Sequence, residues 1–125
     1  MKIVFDANVI IDHLRRNVSD TLYASLFEKG HIFMMSIVTI AELYSGKSAQ
    51  VEGWQRVDLE QLLSGVEIIS PTLSTAKLVG KLRIEHKLSL GDAFVAALAL
   101  EMAIPLTTFN TRHFQHIPSL NLYTP

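Results

Sequence analysis

Short runs of strand-forming residues alternate with longer helical patterns along this chain, and this alternation restricts its fold more than any other feature. Apolar and β-branched runs are typical of buried strands at Lys2–Phe5, Ile32–Met35, Val66–Ile69 and Leu106–Thr108, with a last edge strand at Leu120–Tyr123. Helical segments lie between these runs. Strands that alternate with helices favour a parallel sheet with helices on both faces. We therefore expect an α/β sandwich with a mostly parallel central sheet.

Apolar residues at three- and four-residue spacing mark the helical segments. The pattern predicts a short amphipathic turn at Val9–Leu14, a helix around Leu22–Phe27 that Gly30 closes, and further helices at Ile37–Tyr44, Glu52–Leu63, Leu73–His86 and Ser89–Ala103. Asn110–Phe114 is expected to form a short turn or helix.

The composition fits one globular domain of a reducing compartment. The 125 residues are 49% hydrophobic, and neither a repeat nor a linker divides them, so we expect a single domain over residues 1–125. The absence of cysteine and of a basic leader followed by an apolar run favours a cytoplasmic location. The formal net charge of −1 gives no bulk basic charge for nucleic acid. A polyanion would have to be held by local basic residues and bound cations.

Four polar residues are expected to meet at one end of the sheet. Asp6 and Asn110 follow predicted strands, and Glu42 lies in the first turns of the helix after the second strand. Asp92 begins the helix that leads to the strand before Asn110. Ligands of open parallel sheets bind outside the carboxyl ends of the strands, and carboxylate oxygens are preferred ligands of Mg²⁺. The pattern therefore predicts a metal site.

Each of these residues also has a structural interpretation. Asp6 or Asn8 could cap the helix that follows, Asn110 could cap the next short helix, and Asp92 fits a capping box that Ser89 begins. Glu42 is the exception, because apolar residues surround it in the sequence and a carboxylate is rarely buried without a partner. A metal ion would supply that partner.

Three segments resemble the PIN-domain family, and in particular the VapC-type toxins of VapBC toxin–antitoxin pairs: KIVFDANVIID, SIVTIAELYSG and LGDAFVAALALEMAIPLTTFNTRHF. The likeness spans nearly the full chain. It implies a PIN-like α/β/α sandwich and a Mg²⁺-dependent or Mn²⁺-dependent endoribonuclease that acts as a toxin. By this resemblance Asp6, Glu42 and Asp92 are metal ligands and, together with Asn110, the catalytic residues.

The resemblance also implies partners and further site residues. Asn8 and Thr108 match polar positions beside the family's site, and with Arg112 they are candidates for substrate contacts. Many relatives carry a fourth acid where this chain has Asn110, so the number of metal ions, one or two, stays open. The implied partners are RNA, a small cognate antitoxin and a second copy of the chain in a homodimer. An amphipathic antitoxin helix could lie along the helices around Leu22–Phe27 and Trp54.

Other functions and other site residues stay open from the sequence. A free-standing PIN-type RNA-processing nuclease would use the same site, and a receiver domain of a phosphorelay also combines a parallel sheet with an acidic Mg²⁺ pocket. A receiver needs an acidic pair after its first strand, where this chain has Asp6 alone, and a haloacid-dehalogenase-like phosphatase would carry an Asp at the position of Asn8. Arg15, Lys47 and Arg112 are candidates for phosphate contacts, although such side chains are ordinarily solvated. The five histidines lack zinc-ligand spacing.

Overall fold

A four-stranded parallel sheet forms the centre of the structure, a computed structural model that describes residues 1–16, 19–45 and 54–123. Its strands, in chain order, are β1 (Lys2–Phe5), β2 (Ile32–Ser36), β3 (Glu67–Ile69) and β4 (Leu106–Thr107). They lie in the order β3-β2-β1-β4, and all three pairings are parallel. Val4 in the central strand pairs with Met34 on one side and Leu106 on the other. The predicted parallel sheet is confirmed.

Helices connect the strands at nearly the predicted positions. They are α1 (Ala7–Arg16), α2 (Leu22–Glu28), α3 (Ile37–Ser45), α4 (Trp54–Leu63), α5 (Leu73–His86), α6 (Leu90–Met102) and α7 (Thr111–Phe114). The turn predicted at Val9–Leu14 is a longer helix, because the amphipathic pattern continues through Arg16 and the Asp6 carboxylate accepts a hydrogen bond from the first helical amide, that of Ala7. Glu52, the predicted start of α4, lies outside the described residues.

The predicted edge strand at Leu120–Tyr123 is wrong. This segment makes a single parallel bridge, between Leu122 and Leu106, instead of a strand. The cause is the short length of its neighbour: β4 ends at Thr107, and Thr108 turns away to bond with Asp6. The segment at the end of the chain therefore has no neighbouring strand long enough to form a ladder of several residues with it.

Alternating side chains of the strands pack into two separate hydrophobic cores, one on each face of the sheet. In β1, Ile3 and Phe5 pack with α1, α2, α3 and α4, whereas Val4 packs on the opposite face with α5, α6 and α7. This two-residue alternation follows from the pleat of a strand, which directs successive side chains to opposite faces. The result is the predicted α/β/α sandwich.

The strand order reverses between β1 and β4, and this reversal locates a binding crevice. The chain moves from β1 outward through β2 to β3, and then crosses back to place β4 on the other side of β1. Ligands of open parallel sheets bind at such a switch point, outside the carboxyl ends of the strands. A receiver-type sheet instead has β2 at its edge, followed by β1 and β3. Among the described residues, no helix is both long and apolar enough to cross a bilayer.

Candidate active site

Asp6 follows the last residue of β1 and is the most enclosed of the predicted site residues. Its side chain is nearly buried, and its two oxygens accept separate hydrogen bonds: the Ala7 amide donates to Oδ1 at 2.8 Å and the Thr108 hydroxyl donates to Oδ2 at 2.8 Å. Burial raises the pKa of the Asp6 carboxyl, the Thr108 hydrogen bond opposes that rise, and the negative charge of Asp92 adds to it. The carboxylate is therefore held rigidly in an environment that disfavours its charge.

Thr108 and Asn8 tie the ends of β1 and β4 together. Besides donating to Asp6, the Thr108 hydroxyl oxygen accepts from Asn8 Nδ2 at 3.3 Å and from the Asn110 amide at 3.0 Å. Asn8 Oδ1 in turn accepts from the Phe109 amide at 3.3 Å. Both side chains thus fix the loop after β4 against the start of α1. The geometry gives them a positioning role, and their predicted contact with substrate stays a prediction.

Glu42 lies on α3 with its carboxylate against the first turn of α6. A Cβ atom at Gly91 would lie 2.7 Å from Glu42 Oε2 and 2.8 Å from Oε1, so only glycine leaves this space free. The pKa of Glu42 is raised, first by partial burial of the carboxyl and then by the charges of Asp6 and Asp92. The expectation that Glu42 is a buried residue is wrong: it is exposed, because its apolar neighbours Ile40 and Leu43 occupy the inner face of the helix.

Asp92 stands in the first turn of α6. The Ser89 hydroxyl caps this helix by accepting from the Asp92 amide at 3.2 Å, which is one half of the predicted capping box. The Asp92 carboxylate points toward α7, where its Oδ2 lies 2.9 Å from Nδ1 of His113. Its side chain is 20% exposed. The carboxylate is therefore oriented by a histidine and remains accessible.

Asn110 and Arg112 lie at the start of α7 and are both exposed. Asn110 occupies the position before the helix, but its side chain makes no capping hydrogen bond, so the cap interpretation is not borne out. Its backbone amide belongs to the Thr108 network. Its predicted catalytic role stays a prediction.

Arg112 lines a cleft together with Asp92. Arg15 is an exposed residue of α1, whereas Lys47 and the side chain of Trp54 lie outside the described residues.

Asp6, Glu42 and Asp92 lie near enough to one another at the switch point to interact electrostatically, and we call them the acidic cluster. The charge of Asp92 raises the pKa of Asp6, and the charges of both aspartates raise that of Glu42, so the three carboxylates act on one another. Within residues 1–16, 19–45 and 54–123, no lysine or arginine forms a salt bridge with any of them. Hard oxygen donors with an excess of negative charge, which among the described residues only His113 offsets in part, fit a divalent cation. In the described part, however, no three acidic or histidine side chains are already arranged around one point.

The sequence-based reasoning did not identify Gly91, and it considered His113 only as a possible RNA contact and not as a partner of Asp92. Gly91 carries a recognisable signal, since glycine is a poor helix former and its presence in the first turn of the Ala-rich α6 indicates a close approach. His113 carries none, because its partner Asp92 is 21 residues away and only the docking of α7 brings them together.

Comparison with known proteins places this geometry in a family. Residues 3–120 match the PIN domain family. Ribonuclease VapC10 from Mycobacterium tuberculosis (strain CDC 1551 / Oshkosh) is 28% identical over 117 residues, which cover 90% of this chain and 85% of that protein.

Solved structures share the fold over nearly their whole length. One chain of VapBC2 from Rickettsia felis, bound to a DNA fragment from its promoter, superposes with a TM-score of 0.82 at 24% identity and covers 98% of both chains. A toxin–antitoxin complex from Klebsiella pneumoniae gives a TM-score of 0.74 at 28% identity over 94% of both chains. Because the family match extends over residues 3–120, with the acidic cluster inside it, this chain belongs to the PIN domain family.

Proposed function

We propose that this protein is a metal-dependent endoribonuclease that acts as the toxin of a toxin–antitoxin pair. The observation that carries the proposal is the mutual electrostatic influence of Asp6, Glu42 and Asp92 at the switch point of the sheet. The relative from Mycobacterium tuberculosis is named a ribonuclease, and the structures from Rickettsia felis and Klebsiella pneumoniae are toxin–antitoxin assemblies. These names support both halves of the proposal.

Asp6, Glu42 and Asp92 would hold Mg²⁺ or Mn²⁺, because they are oxygen donors whose mutual repulsion a divalent cation relieves. Such an ion, when bound, activates water and offsets the charge that develops on a phosphodiester during hydrolysis. Thr108 keeps one oxygen of Asp6 in place, His113 does the same for Asp92, and the missing side chain of Gly91 leaves room for Glu42. Asn110 and the substrate contacts of Arg112 belong to the same proposal.

The cavity between α1, α2, β2 and α4 is our candidate for the antitoxin groove. It has a volume of about 520 Å³, and its apolar wall includes Tyr23, Phe27, Phe33 and Leu62. Phe27 contacts the rings of Tyr23 and Phe33, yet it is 64% exposed, as expected of an apolar side chain at a protein–protein interface. An amphipathic helix of the antitoxin would bury this ring. Homodimer formation and a cytoplasmic location complete the proposal.

The test of the chemistry is cleavage of RNA by the purified chain. We expect cleavage with Mg²⁺ or Mn²⁺, none with EDTA, and loss of about a hundredfold or more in rate for Asp6→Asn, Glu42→Gln and Asp92→Asn, since each removes a charge that would hold the ion. Glu101→Gln, at the other end of α6, is the matched control and should cleave normally. Cleavage that resists EDTA would contradict the metal-dependent chemistry.

The test of the biological role is expression of the chain alone and together with the product of any small gene that lies beside its own. We expect growth arrest in the first case and growth with co-purification of a second protein in the other. A chain that neither slows growth nor retains a partner, yet cleaves RNA, would instead be a free-standing RNA-processing nuclease.

A further inference from the structure

A second cleft lies beside the acidic cluster, and it is lined by two permanent cations, Lys87 and Arg112. It has a volume of about 330 Å³ and lies between the end of α5, the turn before α6, and α7. Asp92 forms its boundary with the acidic cluster. The other ionisable side chains that line the cleft are all basic or imidazole groups: His86, Lys87, Arg112, His113 and His116. This cation-rich wall occurs in a chain whose formal net charge is −1.

The two permanent cations of this cleft, Lys87 and Arg112, have no carboxylate partner within the part of the chain that the structure describes. Elsewhere in the described residues, Lys2, Arg16, Arg56 and Lys81 each lie within 4.0 Å of a carboxylate oxygen, whereas Arg15, Lys29, Lys77 and Arg83 form no such ion pair. Among the same residues, neither Lys87 nor Arg112 takes part in such an ion pair. Their charges are therefore not neutralised by the fold and remain available to an anionic ligand.

Lys87 holds its position with an unusual backbone. It ends α5 with φ 54° and ψ 38°, in the left-handed region where glycine meets least strain. A lysine at such a helix end is less favourable than glycine for the fold itself. Ala103 ends α6 with the same φ, so this backbone does not by itself mark a functional residue, but it allows glycine to replace Lys87 without added strain.

We propose that this basic cleft binds a backbone phosphate of the RNA next to the phosphate that is cleaved, with Lys87 and Arg112 as its cations. The inference rests on the proposed nuclease function. An acidic cluster repels a polyanion, so a nuclease of net charge −1 needs local cations at its border to hold the strand. Arg112 and Lys87 meet that need on the side of Asp92, because a guanidinium and an ammonium are strong ligands for phosphate.

The experiment measures binding of a short fluorescein-labelled single-stranded RNA by anisotropy over a series of salt concentrations, in EDTA so that no cleavage occurs. Lys87→Gly and Arg112→Ala should each weaken binding by about threefold or more and reduce the salt slope by about 0.7, the value for one lost phosphate contact on a single strand. Glycine also relieves the backbone strain, so Lys87→Gly should melt no lower than the unmodified protein.

Two control variants distinguish the effect of the lost charge from the effect of the changed backbone on RNA binding. Ala103→Gly changes the residue at the end of α6, which has the same φ of 54°, without loss of charge. Lys77→Ala removes an exposed cation of α5 outside the cleft. Both should bind RNA normally. Lys87→Asn, which also tolerates the left-handed conformation, should reproduce the loss seen with glycine.

Equal affinity and salt slope for Lys87→Gly, Arg112→Ala and the unmodified chain would overturn the proposal, provided that the unmodified chain binds and cleaves RNA. The same RNA binding with weaker retention of the antitoxin would also overturn it and assign the cleft to the protein partner. If the unmodified chain neither binds nor cleaves RNA, the nuclease function itself fails, which is a distinguishable result.

Discussion

The space beside Gly91 determines where the Glu42 carboxylate can lie. We predict that Gly91→Ala moves this carboxylate away from Asp6 and Asp92, because the new Cβ would come within 3.0 Å of both Glu42 oxygens. The displaced group is the free end of a flexible side chain, so the free energy of unfolding should fall little or even rise. RNA cleavage should drop by about tenfold or more, an effect of the size expected for a misplaced catalytic group.

Gly80→Ala in α5 is the matched control for this variant. Nothing lies within 4 Å of a Cβ atom at Gly80, so alanine should stabilise the helix by up to about 1 kcal/mol and leave cleavage unchanged. Thermal melts and initial cleavage rates measured side by side give both quantities. Full activity of Gly91→Ala would show that cleavage does not require Glu42 at its observed position.

Glu42 also affects the pH dependence of stability in the metal-free protein. Its raised pKa in the folded state means that the stabilising contribution of this group is complete below its ordinary pKa, about 4, and is lost as the pH rises through the raised value. The Glu42→Gln variant has no carboxyl group at this position to ionise, so it does not lose this stability as the pH rises. In EDTA we therefore expect this variant to melt higher than the unmodified protein at neutral pH, with a difference that shrinks toward pH 4.

Melting curves across this pH range test the sign of the effect. Glu101→Gln, a single-charge control on the other end of α6, should leave the pH dependence unchanged. A variant Glu42→Gln that is less stable than the unmodified protein at neutral pH would mean that the folded protein favours the charged carboxylate, contrary to the repulsion argued above.

At the level of the secondary-structure elements, sequence periodicity identified most bounds correctly. The helix predicted at Leu73–His86 coincides with α5, and the strand at Lys2–Phe5 coincides with β1. Where a predicted element is wrong, the cause is a feature of the neighbouring structure that the periodicity of the sequence does not show. The tail at Leu120–Tyr123 has strand-like composition, but its extent of pairing depends on β4, whose two residues allow one bridge.

Helices α2 and α4 border the proposed antitoxin groove, which gives a prediction about binding. Phe27→Glu should lower retention of the antitoxin by roughly tenfold or more, because it replaces an apolar anchor with a charge in a groove for an amphipathic helix. Cleavage of RNA by the isolated chain should not change, since Phe27 is exposed on α2, where it contacts the rings of Tyr23 and Phe33 and no residue of the acidic cluster. Co-purification from cells that express both genes measures the retention.

Ile84→Glu serves as the matched control. Ile84 is 84% exposed on α5, so this variant introduces the same charge at an apolar surface position outside the groove. It should retain the antitoxin normally. Equal retention by both variants would remove the cavity beside α2 from consideration as the docking groove.

For the molecule as a whole, the sequence predicted the class of fold but not the strand order. Alternating strands and helices favour parallel pairing, yet the position of β4 beside β1 depends on contacts between distant segments. The bond from Thr108 to Asp6 joins residues 102 positions apart. The acidic residues were found from strand ends and the family resemblance, whereas the basic cleft requires the docking of α7. The family match covers residues 3–120, and a single domain over residues 1–125 stays a prediction.

The large sequence separation between Thr108 and Asp6 also determines when the site can form during synthesis of the chain. Asp6 leaves the ribosome early, but the hydroxyl that positions its carboxylate, and the strand that places β1 in the middle of the sheet, follow about a hundred residues later. Contacts of such large sequence separation form only after the loop between them has closed. A nascent or prematurely released chain that stops before β4 therefore lacks an assembled site.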